Sequence, residues 1–182
     1  MIRLFTGIAV PQAVNARLDD LVRRLKPLAR IRWSPASNFH ITTKFIGAWP
    51  EDRLEILKQA LACPLSTGAF RIAVRGVGFF PRARAPHIFY AGIEGGEPLS
   101  ALASQTDKIC AKLEIAPEKR AYSPHLTLAK IGTPPNLDAL HAAIAQDPAL
   151  EFGAFDVTAF HLFLSHPTKA GTIYTSLAEF PL

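Results

Sequence analysis

The chain reads as an α+β protein built from two similar lobes. Three observations carry that reading. Helical and strand-like periodicities are interleaved along the sequence. Two apolar segments, HITTKFIG from His40 and HLTLAKIG from His125, share one plan: His, an apolar residue, Thr, and Ile-Gly at the end. Each is followed by a turn, a helical pattern and further strand material, so the repeat extends beyond the motif itself. At 182 residues the chain suits one compact unit spanning 1–182 rather than two independent domains.

The elements follow in order. Residues 2–10 are rich in strand formers, and Pro11 stands where a helix can begin. Val14, Leu18, Leu21, Val22 and Leu25 recur at helical spacing, which predicts an amphipathic helix over 11–26. RIRWSP reads as a short strand and NFHITTKFIG as a longer one, ending in a turn at Gly47 and Pro50. EDRLEILKQALAC has helical periodicity with acids in its first turn, predicting a helix over 50–63. Two strand-like stretches, FRIAVRGVGFF and HIFYAGI, flank the basic loop PRARAP. A helix is expected from Pro98 to Leu113, then the second motif and a turn at Thr133-Pro134-Pro135. A last helix covers 136–146, and FDVTAFHLFLS and TIYTSLAEF close the chain as strands.

Composition narrows the class. With 49% apolar and 19% charged residues and no low-complexity tract, this is a folded protein rather than a disordered one. The net charge of +5 and pI near 9.5 favour an anionic partner: nucleic acid, a nucleotide or an acidic membrane surface. Cys63 and Cys110 fall in segments read as helical and form no CxxC pair, so they are expected as buried free thiols in a reducing compartment, the cytoplasm. The apolar start is interrupted by Arg3, Thr6 and Gly7 and reads as a first strand rather than a cleaved signal. No apolar run approaches the ~18 residues of a membrane span.

On a strand, residues two apart face the same way. His40 and Thr42 are therefore expected on one face, with Ile41, Thr43 and Phe45 on the other; His125 and Thr127 share a face opposite Leu126 and Leu128. A lone strand histidine is usually a satisfied core or surface residue, and the bare His-x-Thr pattern is a weak signal. The matched context, in corresponding places of a repeat, favours function. Two imidazoles with ordinary pKa values near ~6.5 can supply a base and an acid on opposite sides of a bond. Two hydroxyls can donate to the non-bridging oxygens of a phosphoryl group. The set suits metal-free attack of water on a phosphodiester. It suits acyl transfer less, since the chain has no G-x-S-x-G elbow. A catalytic metal is not expected: HExxH and cysteine clusters are missing, and threonine is a poor zinc ligand.

The two segments resemble the paired HxTx signatures of the 2H phosphoesterase superfamily. The resemblance runs through RLFTGIAVP, RWSPASNFHITTKFIG, AYSPHLTLAKIG and the closing LFLSHPTKAGTIYTSLAEFPL, essentially the whole chain. Within that superfamily it is most similar to the RNA 2′,3′-cyclic phosphodiesterases, also called 2′-5′ RNA ligases. The resemblance implies a bilobal, duplicated α+β fold with antiparallel sheets facing a central cleft and helices outside. It also implies hydrolysis, without metal or other cofactor, of a terminal 2′,3′-cyclic phosphate to a 2′-phosphomonoester, with RNA ends such as those of tRNA halves as partners. Carried onto this chain, His40 donates a proton to the departing 3′ oxygen, His125 activates water, and Thr42 and Thr127 hold the phosphate. The residues alone leave acid and base unassigned, because the two copies are nearly symmetric.

Two positions depart from the family pattern: Thr43 stands in place of a common leucine and Lys130 in place of a frequent arginine, keeping charge but losing a bidentate fork. Lys44, Arg120 and the loop Arg82–Arg84 are candidates to neutralise phosphate or an RNA backbone, each weighed against a solvated surface charge. Phe39, Trp33 and Tyr122 are candidates to stack a base, with core packing the favoured role for each. His87, His141, His161 and His166 have no repeated partner and are assigned none. The rival readings are a phosphodiesterase of small cyclic nucleotides or 2′-5′ oligonucleotides, a non-catalytic module holding RNA ends, and a structural repeat with no site. A monomer is expected, because duplication already supplies two half-sites.

Overall fold

The computed structural model describes residues 1–81, 86–132, 136–147, 149–168 and 171–182. Among these described residues nine strands and four α-helices lie in the order β1 (Ile2–Ala9), α1 (Gln12–Leu25), β2 (Arg32–Trp33), β3 (His40–Trp49), α2 (Leu54–Leu61), β4 (Phe70–Phe80), β5 (Ile88–Glu94), α3 (Gly96–Lys112), β6 (His125–Lys130), α4 (Asp138–Ala145), β7 (Glu151–Val157), β8 (Ala159–Thr168) and β9 (Gly171–Pro181). All strand pairings are antiparallel. The expected helices all form within a few residues of their predicted bounds. FDVTAFHLFLS, read as one strand-like piece, divides at Thr158 into β7, at one edge of the sheet, and β8, next to the strand at the other edge.

The strand order β7-β4-β5-β6-β3-β1-β8-β9, with β2 on β6, explains the two-lobe reading. β3, β1, β8 and β9 form one half, and β6, β5, β4 and β7 the other. The halves are not successive stretches of chain: β4 passes from the first repeat into the second half, and β8 and β9 return to the first. The repeats are interlocked. α1 packs against β7, and α3 against β3 and β4, so the core lies between the sheet and its helices. α1 buries the predicted set Val14, Leu18, Leu21, Val22 and Leu25. Among the described residues no helix is long and apolar enough to cross a membrane.

Two expectations about β3 are corrected. Strict alternation does not persist along it, because β3 carries an extra residue against β1 at two places: Gly7 faces Thr42 while Thr6 faces Lys44, and Phe5 faces Phe45 while Leu4 faces Gly47. Such bulges rotate the side chains that follow. Thr43 and Lys44 are consequently both buried, and Phe45 emerges at 65% exposure instead of joining the apolar face. Thr43 packs as expected, its Oγ1 2.7 Å from that of Thr6. Lys44 does not reach the face of His40. Its ammonium donates to the Ala116 carbonyl at 2.7 Å, meets Asp107 of α3 at 2.7 Å, and lies 3.6 Å from Glu118. Cys63 is also corrected: it follows α2 and is exposed, while Cys110 is buried in α3 with its thiol pushed up to about 11 by burial.

Lys44 thus ties β3 to α3 and to the loop that leads into β6. Replacing it by Ala should lower stability by about 3 kcal/mol, the low end for breaking a buried pair, because Asp107 and Glu118 keep contact with water. Lys44→Met should cost much less. Urea unfolding of the two variants checks this, and equal losses would refute a charge-based anchor.

Candidate active site

β3 and β6 meet through one residue couple, Ile41 opposite Leu126, and both side chains are fully buried. By alternation, the residues on either side of each, His40 and Thr42, His125 and Thr127, turn to the opposite, open face. The antiparallel register sets His40 across from Thr127 and Thr42 across from His125. All four are half-buried. The sequence-predicted set is therefore brought together on one face at the junction of the two halves.

Glycines flank both motifs. Gly7 of β1 lies beside Thr42, where an added Cβ would stand 2.8 Å from the Ile41 carbonyl oxygen. Gly92 of β5 lies beside His125, where a Cβ would meet the Arg75 carbonyl oxygen at 2.5 Å. At Gly7 the motif strand β3 can lie close to β1 because no side chain intervenes, and at Gly92 the close approach is that of β4 to β5, the strand beside the second motif.

The two imidazoles are oriented the same way. His40 Nδ1 lies 2.7 Å from the Asn38 carbonyl and His125 Nδ1 lies 2.8 Å from the Ser123 carbonyl, each two residues earlier. A carbonyl only accepts, so Nδ1 carries the proton in both rings and leaves Nε2 bare when the ring is neutral. Nε2 of His40 is 3.0 Å from the Thr42 hydroxyl, which donates to it in that state. Asn38 is itself held, its amide donating to the Thr172 carbonyl at 2.6 Å.

The surroundings break this symmetry. Around His40 stand Phe5 at 4.6 Å between ring centres, Tyr174 at 4.9 Å and Phe163 at 6.0 Å. Around His125 stand Phe80 at 5.1 Å and Tyr90 at 5.8 Å. The enclosed ring of His40 is held down at about 4, chiefly by loss of water, with the charges of His125 and Lys130 acting in the same direction against the Asn38 hydrogen bond. His40 is accordingly neutral at pH 7 in the unliganded protein.

The secondary candidates separate. Tyr122 donates its hydroxyl to the Thr42 carbonyl at 2.9 Å, and burial pushes its phenol upward, so it remains a donor. Phe39 is buried in the core, and Trp33 packs edge-on against Phe89 with its indole N–H on the Ala29 carbonyl. All three serve packing. Lys130 is exposed at the end of β6, and its charge reaches His40. Arg120 is exposed on the loop before β6. Arg82 and Arg84, and the turn at Thr133-Pro134-Pro135, lie outside the described residues. Sequence reasoning missed the rings: Phe5, Phe163 and Tyr174 belong to β1, β8 and β9, and only the strand order places them around His40.

A model of the 2′-5′ RNA ligase superfamily matches residues 10–168. The chain is 35% identical to an RNA 2′,3′-cyclic phosphodiesterase of Aeropyrum pernix, over 78% of this chain and 81% of that protein. It is 30% identical to one of Methanothermobacter thermautotrophicus, over 100% and 99%. Its fold is similar to the crystal structure of a Thermus thermophilus protein (TM-score 0.82, 27% identity, 100% and 98% coverage). Escherichia coli LigT has the same fold at 21% identity (TM-score 0.81, 100% and 97% coverage).

A histidine held near 4 makes stability depend on pH. Between about 6.5 and 4 the unfolded chain binds a proton at this position and the folded chain does not, so the unfolded state gains as pH falls. This contribution is intact above about 6.5 and is lost on acidification to about 4, a change of about 3 kcal/mol. Denaturation midpoints measured from pH 7 to 4 should fall more steeply for the wild type than for His40→Gln. Parallel curves would contradict a desolvated His40.

Proposed function

The chain belongs to the 2′-5′ RNA ligase superfamily, and on that footing we propose that it hydrolyses the terminal 2′,3′-cyclic phosphate of RNA to a 2′-phosphomonoester, with His40 and His125 as acid and base. The observation that carries this is the cross-strand quartet: two imidazoles with Nε2 turned to one face, each diagonal to the other across a Thr pair. The names of the relatives supply the substrate class.

In this reading Thr42 and Thr127 donate to the non-bridging oxygens of the cyclic phosphate and hold phosphorus between the rings. His125, with Nε2 unprotonated, takes a proton from water as its oxygen bonds to phosphorus. The bond from phosphorus to O3′ breaks, and protonated His40 gives its Nε2 proton to that oxygen. The product keeps phosphate on O2′, and the rings exchange protons with solvent to reset. His40 must first acquire a proton, which burial disfavours in the unliganded chain. The anionic phosphodiester seated against it supplies the opposite charge that favours the imidazolium. Neither step calls on a metal. Both half-sites lie in one chain, so residues 1–182 act as a single bilobal unit and a monomer suffices. Ligation is the same ring opening with the 5′-hydroxyl of a second RNA in place of water: that oxygen bonds to phosphorus, its proton passes to His125, O3′ leaves with the proton of His40, and a 2′-5′ linkage results.

A short RNA ending in a 2′,3′-cyclic phosphate, incubated with chelator, is expected to yield a 2′-phosphate end. His40→Ala and His125→Ala should each reduce kcat by about 100-fold or more while unfolding normally at pH 7. The kcat profile of the wild type should be bell-shaped, with one limb lost in each variant. Undiminished turnover by either variant would sink the two-histidine mechanism, and a 3′-phosphate product would reverse the assignment of the leaving oxygen.

A further inference from the structure

Phe45 is unusual for an aromatic residue in mid-strand. It is 65% exposed, the one aromatic among the large apolar side chains exposed in the described residues. The bulge at Thr43 puts it on the open face of β3, three positions beyond Thr42. Its ring stands 6.5 Å from that of Phe5, which in turn lies 4.6 Å from His40. An aromatic track therefore runs from the catalytic quartet outward to Phe45. There it opens onto a groove of about 480 Å³ lined by Phe45, Ile46, Ile115, Pro117, Lys119 and Arg120.

The charge of the groove suits a polyanion. Lys119 and Arg120 stand on its rim, exposed and without an ion-pair partner among the described residues. Glu118, the acid in the lining, is directed at Lys44. The same Lys44 anchor holds the loop at Ala116 and Glu118, so the groove wall is attached to β3. An exposed ring for a base face, beside cations for the backbone, is how single-stranded nucleic acid is held without sequence preference.

We infer that this groove is a subsite for the nucleotide upstream of the RNA end, with its base stacked on Phe45 and its phosphate met by Lys119 and Arg120. The inference rests on the reading of the quartet as an RNA-end hydrolase and adds to it: the protein prefers oligonucleotide ends to mononucleotides, with affinity that falls as salt rises.

The test compares kcat/KM for a mononucleoside 2′,3′-cyclic phosphate and for a four-nucleotide RNA with the same end. In Phe45→Ala the ratio favouring the oligonucleotide should fall about tenfold or more, the size of one lost base stack. In Arg120→Gln it should fall as well, and the dependence on salt should become shallower. Phe45 is exposed, so the variant should unfold like the wild type, and thermal unfolding checks that. An unchanged ratio in both variants, or equal loss on both substrates, would overturn the subsite. Equilibrium binding of the same RNA ending in a 3′-phosphate, which needs no turnover, separates this inference from the hydrolase reading. Weaker binding by Phe45→Ala in a chain that hydrolyses neither substrate would keep the subsite and sink the hydrolase. Undiminished binding by both variants would sink the subsite.

Discussion

The pairing of Ile41 with Leu126 is the constraint on which the rest of this structure depends. It joins the two halves of the sheet, and it is the one residue couple through which β3 and β6 are in register. Both side chains are completely removed from water and point toward the helices, so a slip by one residue would turn His40, Thr42, His125 and Thr127 into the core. Apolar burial on one face thus specifies a polar quartet on the other. The site needs no separate device to bring its four groups together, because the register that satisfies the core also aligns them.

The duplication supplies symmetry, and the chain then breaks it. Both rings are oriented by the same hydrogen bond to the carbonyl two residues back. Their environments come from different strands: β1, β8 and β9 enclose His40 with rings, while β4 and β5 leave His125 more open. Loss of water then holds His40 neutral in the unliganded state. Burial thus works against the protonated state that the proposed acid role asks of His40, and in that proposal the charge of the bound phosphate has to supply it.

Much of this was legible beforehand. The helices were readable because apolar residues recur at helical spacing, as with Val14, Leu18 and Leu21. The quartet was readable because His-x-Thr occurs twice in matched apolar strands and alternation places each pair on one face. The departures have local causes. Lys44 looked like a phosphate contact because strict alternation puts it with His40 and Thr42, but a bulge is a property of two strands in register and leaves no mark in one of them. The same bulge sends Phe45, which the pattern assigned to the core, into the open. Cys63 looked buried because helical periodicity reaches it, though α2 ends two residues earlier.

The sequence by itself determined the kinds of group available and the face each motif would present, since these follow from side-chain chemistry and the two-residue period of a strand. Tertiary structure decided which distant segments surround those groups. That Phe5, Phe163 and Tyr174 dry out one histidine, that Asp107 and Glu118 claim Lys44, and that the repeats exchange strands all depend on strand order. Local periodicity carries no information about strand order, because that order is settled by how the apolar faces of the strands and helices can be buried at once.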